Sequence, residues 1–387
     1  MTERIYDHDS HIMDFTARVL TCVPDGDAFD IVLDRSAFFP GGGGQEADTG
    51  TLGGHPVLAV SEKDEIIHFR CPVAFAEGTL VEGHVDRETR LSNMQQHSGE
   101  HVLCAVLHNR YGVDNVGFHM GSREMTLDVN GVFEPEDLAW AEEEANRAVR
   151  DDLPITISYP SAEELETLEY RSKKELTGTV RIVTIEGTDR CACCAPHVMH
   201  TGEIGLIKIL RSEHYKGGTR VYFLCGLKAL SMVNLYQAQV HGIDTLLSAV
   251  PEDTLSAVQK VLEQNEALKE QRVQAERRLI QILADQAPLG DAPLVLFEDF
   301  SDEIIARTYV NLLTARRTGP VCLCLPRVGD PDAYRYILAI QKGSVRLLCQ
   351  AMNQTLSGRG GGSDAMAQGT IRATKEEVEA FFQSYRQ

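Results

Sequence analysis

Two short segments place soft metal ligands at helical intervals. His97 and His101 stand four residues apart in NMQQHSGEHVLCAVL, and Cys193 and His197 stand four apart in RCACCAPHVMH. Residues i and i+4 share one face of a helix, so both imidazoles of the first pair can reach one ion. Imidazole with thiolate is a zinc set, and the thiolate argues against a magnesium or calcium site. Either pair alone is a weak signal; in one chain they point to one shared zinc. Four protein ligands suit a structural ion, whereas a catalytic ion keeps a position open, and the spacing leaves both readings standing. Cys191 and Cys194 compete with Cys193, but the matching interval of four favours Cys193. His200 reads as a surface residue or as a support to the ligands.

Glu100 completes H-x-x-E-H, the pattern of inverzincin peptidases, in which the glutamate is the general base. That reading needs a further acidic ligand downstream and leaves Cys193 and His197 unexplained. Glu100 otherwise reads as a solvated helix residue, or as a base in a different hydrolase.

These groups have to be positioned. Residues 1–88 read as strands and turns, with Gly41–Gly44 after Pro40 either a flexible hairpin tip or a loop through which backbone N–H groups approach a ligand. Residues 89–226 mix helices and short strands without a βαβ rhythm: a helix from Arg87 carries the histidines, MTLDV is a strand, and helices are expected over Pro135–Arg150 and Ala162–Leu176. Residues 227–285 are helical, broken near Pro251. Leu255, Val258, Leu262, Leu268, Ala275, Leu279 and Ile282 recur at threes, fours and sevens, so this stretch is a hairpin packed on itself or a dimer-forming coiled coil. Residues 286–387 look like a small α/β unit with a glycine-rich segment, SGRGGGSDAMAQG. The fold class is therefore α+β with mainly antiparallel sheet, an N-terminal barrel-like part, a helical hairpin and a C-terminal α/β part.

The chain of 387 residues suits two to four domains. It has no apolar run long enough to span a membrane and no signal-peptide pattern, so a cytoplasmic protein is expected. Ten cysteines in a reducing compartment are free thiols or metal ligands. The formal net charge of −20 weighs against a nucleic-acid partner, although binding depends on local patches. Residues 286–387 carry eleven basic and eleven acidic side chains, so the acidic excess lies upstream.

Five segments together resemble the editing domain of alanyl-tRNA synthetases and the freestanding AlaX editing proteins. They are LDRSAFFPGGGGQEADTGTL, QQHSGEHVL, GFHMGSREMTLDV, CCAPHVMHTGEIGLIKI and GRGGGSDAMAQG. The last is similar to the C-terminal domain shared with DHH-type phosphoesterases, so the chain looks like a long-form AlaX protein without an aminoacylation domain. The resemblance implies hydrolysis of the ester joining serine, and sometimes glycine, to alanine tRNA. His97, His101, Cys193 and His197 fall on the family's zinc ligands. Ser98 falls where Thr is common and could bond the serine side chain or a water; Gln45, which closes the glycine motif, would share that selection; Thr201, which begins the TGEIG segment, would contact the substrate. Gly42, Gly43 and Gly44 would meet the terminal adenosine. The C-terminal part would hold tRNA, with Arg346, Arg359, Gly360, Gly361 and Gly362 as contacts, or form a homodimer. The chain departs from the family's CGGTH in reading Cys194-Ala195-Pro196 inside the motif, and in carrying Glu100. A zinc-containing tRNA-binding protein without turnover is the remaining alternative.

Overall fold

The computed structural model describes residues 2–121, 123–172, 179–300, 302–327 and 329–385. The chain divides into two compact units, Met1–His241 and Gly242–Gln387. The class is α+β as expected.

The first unit opens with a seven-stranded antiparallel sheet that curls into a half-barrel. In order across the sheet its strands are His55–Pro56, Gly50–Leu52, Leu80–Val85, Asp14–Asp25, Ala28–Leu33, Ile66–Cys71 and Ala59–Lys63. Leu80–Val85 alternates exposed and buried residues at every step, the signature of a sheet with one face on a core. Phe15, Phe38 and Phe69 meet edge-to-face in that core.

The helix Arg87–Tyr111 follows. Asp86 caps it by accepting the Thr89 N–H, and Gly112 ends it in the left-handed conformation at φ 66°. It is not a surface helix. Gln95, Gln96, His97, Ser98, Glu100 and His101 are all buried. Polar groups that deep must be bonded. Gln96 closes two bonds with Cys225, donating to its carbonyl and accepting its N–H, and Gln95 donates to the Glu203 carbonyl. Gly99 lets the helix approach the strand Gly218–Cys225: a Cβ there would lie 2.3 Å from the Cys225 sulfur.

Two further sheets flank this helix. One is four-stranded and antiparallel, in the order Asn115–Met120, Met125–Val129, Gly218–Cys225, Ile207–Tyr215. The other joins Ile155–Ser158, Ile182–Ile185 and Asp189–Ala192. The helix Pro135–Arg150 forms as its pattern predicts. The helix expected over Ala162–Leu176 ends at Thr167, and residues 173–178 lie outside the described residues.

The helix Gly226–Leu247 runs to a short turn at Pro251–Asp253, and the helix Thr254–Gln286 follows. The second unit also holds a five-stranded sheet. Among the described residues of this sheet only Leu294–Phe297 and Val321–Arg327 pair in parallel, across the helix Glu303–Thr314. The other pairings are antiparallel. The described residues of the unit thus hold one βαβ crossover in an otherwise antiparallel sheet.

Candidate metal centre

The two ligand pairs converge. His97, His101, Cys193 and His197 each offer one ligand atom, all within 4.8 Å of one another. Nε2 of His97 stands 3.5 Å and Nε2 of His197 stands 3.4 Å from the Cys193 sulfur. A tetrahedral zinc with bonds of roughly 2.3 Å to sulfur and 2.0 Å to nitrogen needs those atoms about 3.5 Å apart. The donor set and its spacing therefore fit zinc.

The outer nitrogens settle which atoms face inward. His97 donates from Nδ1 to Gln45 Oε1 at 3.0 Å, and His101 donates from Nδ1 to Asp189 at 3.1 Å. His197 donates from Nδ1 to the Ser98 hydroxyl at 3.0 Å, which also accepts the Val198 N–H. A neutral imidazole with its proton on Nδ1 leaves Nε2 as a lone pair, the state a metal requires. Asp189, His101 and Cys191 also form a close trio, but Arg171 grips Asp189 with two bonds of 2.8 Å. That carboxylate is a buttress to His101. Burial pushes its pKa up, yet the bonds from His101 and Arg171 win and hold it at about 2.

Charge in the cluster follows the same logic. Burial pushes the Cys193 thiol up, but His97 and His197 outweigh it and leave the pKa well below the usual value. Burial drives His197 down to about 3. A thiolate beside a neutral imidazole is the ligating form.

The loop CCAPH is held from behind. Arg181 donates to the carbonyls of Cys193 and Ala195, and Ser10 donates to the carbonyl of His197. Glu203 accepts the N–H groups of Met199 and His200. Arg90, fully buried, pairs with Asp48 and donates to the carbonyls of Ser10 and Ala37. It ties the glycine loop and the N-terminal strand region to the ligand helix.

His97, His101 and Cys193 open onto a cleft of about 1630 Å³, also lined by Glu100, Asn115 and Phe118. The glycine run borders it as a closed turn, in which Gly42 and Gln45 exchange both backbone bonds. Gly43 and Gly44 line the cleft with φ of 60° and 90°. A Cβ on Gly44 would lie 2.9 Å from the Phe118 ring. Gln45 is buried, and its Nε2 has no hydrogen-bond partner.

The other candidate residues take these places. Glu100 is not solvated: it is 3% exposed, accepts from Asn115, and places Oε2 3.9 Å from His101 Nε2. The Thr201 hydroxyl donates to the Ala148 carbonyl and accepts the Leu153 N–H in a fully buried position. The Ser98 hydroxyl sits on the Nδ1 side of His197, opposite the converging ligand atoms, and so orients the ring. Arg346 pairs with Asp364 at 3.2 Å in the second unit. There Arg359–Gly362 forms an exposed edge strand. A Cβ on Gly360 would meet the Tyr336 hydroxyl at 2.3 Å. Asp189, Arg171, Asn115, Arg181 and Arg90 carry no local motif; only the segment GFHMGSREMTLDV, which holds Phe118, was a signal for the cleft wall.

Residues 180–222 match the family described as threonyl and alanyl tRNA synthetase second additional domain. The chain is 29% identical to alanyl-tRNA editing protein AlaX-L of Pyrococcus horikoshii, over 98% of this chain and 96% of that protein. It is 28% identical to alanyl-tRNA editing protein Aarsd1 of Rattus norvegicus, over 97% and 96%. An alanine–tRNA ligase of Thermofilum pendens is 29% identical over all of this chain but only 44% of its own length. The chain is similar from end to end to the alanyl-tRNA editing proteins, the family to which its five motif segments point.

Proposed function

We propose that the chain is a trans-editing hydrolase that deacylates mischarged seryl-tRNA(Ala), with glycyl-tRNA(Ala) as a second substrate, at a zinc ion held by His97, His101, Cys193 and His197. The observation that carries this reading is the convergence of both ligand pairs at the floor of an open cleft, with each imidazole turned by a bond to its Nδ1. When bound, zinc supplies a Lewis acid for the ester carbonyl and acidifies water.

The remaining work falls to the chain's own groups. Gln45, Ser98 and Asp189 fix the three rings. The unpartnered Gln45 Nε2 is the donor that reads the serine hydroxyl. A site built to bond a hydroxyl rejects the analogue lacking it by roughly 10⁴–10⁵ in favourable cases, which is the discrimination between serine and alanine that editing needs. Gly42, Gly43 and Gly44 give the terminal adenosine a backbone surface without side chains. Glu100, anchored by Asn115, takes a proton at Oε2 from the attacking water. In the second unit Arg346, Arg359 and Gly360–Gly362 contact the tRNA body, and a second copy of the chain covers exposed apolar residues of the long helix.

The test is deacylation of seryl-tRNA(Ala) beside alanyl-tRNA(Ala). Faster loss of serine is expected; equal rates, or none, overturn the reading. His97→Ala should abolish turnover and lower bound zinc together. Burial of Glu100 beside His101 favours a second reading, a peptidase of the H-x-x-E-H type. Cleavage of an unstructured peptide with no ester hydrolysis would establish it instead. Binding of tRNA without turnover would mark a non-catalytic zinc protein.

A further inference from the structure

The four-stranded sheet beside the metal cleft has two unlike faces. Leu127, Val221 and Phe223 are buried on one. On the other, Arg211, Glu213, Tyr215, Arg220 and Tyr222 stand on the two strands of the hairpin Ile207–Cys225. The Arg211 guanidinium carbon lies 3.3 Å from the ring centre of Tyr222, its cross-strand partner. That of Arg220 lies 3.7 Å from the ring centre of Tyr215, and Lys216 approaches the same ring at 5.0 Å.

Each guanidinium is held a second time. Arg211 binds Glu124 at 2.7 Å, and Arg220 grips Asp128 with two bonds of 2.6 and 2.8 Å. The Tyr222 hydroxyl donates to Glu213 at 2.7 Å. Long side chains usually lose rotamer freedom when they bind; these are already laid flat as planes on a rigid sheet. Arg211, Lys216 and Arg220 stand against Glu124, Asp128 and Glu213, so the named charges on this face cancel in a chain of net charge −20. Attraction to phosphate is therefore modest here, and the chemistry on offer is stacking. Guanidinium and tyrosine planes are the surfaces on which unpaired RNA bases stack.

The strand Asn115–Met120 is the edge of this same sheet, and its residues Asn115, Val116 and Phe118 line the metal cleft. Three strand spacings, about 14 Å, separate that edge from the strand carrying Arg211. A strand of RNA lying across the Arg–Tyr rows reaches the cleft by crossing one edge.

We propose that this sheet face is an RNA-binding platform on which the nucleotides just before the acylated 3′ end stack, with Arg211, Tyr222, Arg220 and Tyr215 as the contact planes. The inference rests on the editing reading for the identity of the RNA. The test measures binding of uncharged tRNA(Ala) to the full chain by fluorescence anisotropy, together with hydrolysis of a seryl ester of adenosine. Arg211→Ala and Tyr222→Ala should each weaken RNA binding by roughly tenfold, the scale of one lost stacking plane, and leave the small ester's hydrolysis unchanged. Arg211→Lys keeps the charge and the aliphatic stem, so the fold is retained, and it should lose nearly as much as the alanine variant. Binding unchanged in all three variants overturns the proposal, including the case in which a protein partner occupies this face. Failure of the editing reading is seen separately, as a parent chain that hydrolyses neither substrate.

Discussion

A histidine becomes a metal ligand only when something holds its other nitrogen. His101 has the most costly arrangement, because Asp189 must stay ionised at a site where burial opposes charge. Arg171 supplies the opposing charge and spends a further N–H on the Cys104 sulfur. Asp189→Asn keeps an acceptor for His101 but leaves the Arg171 guanidinium without its counter-charge. Loss of such an outer partner weakens zinc affinity by about 10–100-fold. Competition with a chromophoric chelator measures it, and an unchanged affinity would remove Asp189 from the ligand set's support. Gln45→Ala acts on the neighbouring ring through the same principle, but it also deletes the proposed hydroxyl donor. Its expected signature is a larger fall in kcat/KM for seryl-tRNA(Ala) than in zinc content, measured on the same preparation.

The ligand helix shows what an element must give up to sit at the centre of a site. Gly99 costs helix propensity, about 1 kcal/mol relative to alanine. Gly99→Ala would recover that amount and then drive a Cβ to 2.3 Å from the Cys225 sulfur and 3.0 Å from its Cβ. Cys225 is fully buried and short, so it has nowhere to swing. Overpacking of this kind costs about 1–3 kcal/mol, which exceeds the gain, and the helix would also be pushed off the strand that Gln96 binds. A lower urea midpoint with reduced zinc retention is expected. Arg90→Met tests the other anchor. Removing one partner of a buried pair costs about 3–5 kcal/mol, and thermal melting should show a loss of that size. The sequence displayed the ligand pairs because helical spacing and a C-x3-H interval are local properties. It did not display Asp189, Arg171 or the Arg90–Asp48 pair. Each is an ordinary charged residue until the fold brings it to a partner 18 to 88 positions away. Thr201 shows the reverse: it shares a motif with the last ligand, yet its hydroxyl serves the end of a neighbouring helix.

At the scale of the whole chain, the helix Thr254–Gln286 stands out as thirty-three residues, about 50 Å of rod. One face turns Ile280 and Ala284 into a core shared with the helix Glu303–Thr314. Another presents Val261, Leu268 and Ile282 at 47%, 63% and 54% exposure, spaced with Ala275 at successive sevens. Asn265 stands among them three residues before Leu268. Arg272 follows it seven residues on, so the stripe carries two polar positions, a device that fixes register at a cost in stability. Apolar side chains this exposed gain from burial at roughly 25 cal/mol per Å², so the stripe has a driving force that the described fold of one chain does not use. A second copy of the chain meets the requirement with an identical stripe. Sedimentation equilibrium over a concentration series should then report a dimer, and Leu268→Lys should shift it to monomer while leaving zinc content unchanged, because the substitution lies in the second unit and the ligands in the first. A parent chain that stays monomeric throughout the series would leave the stripe without this partner, and the seryl-tRNA(Ala) reaction would then have to be explained on a single copy.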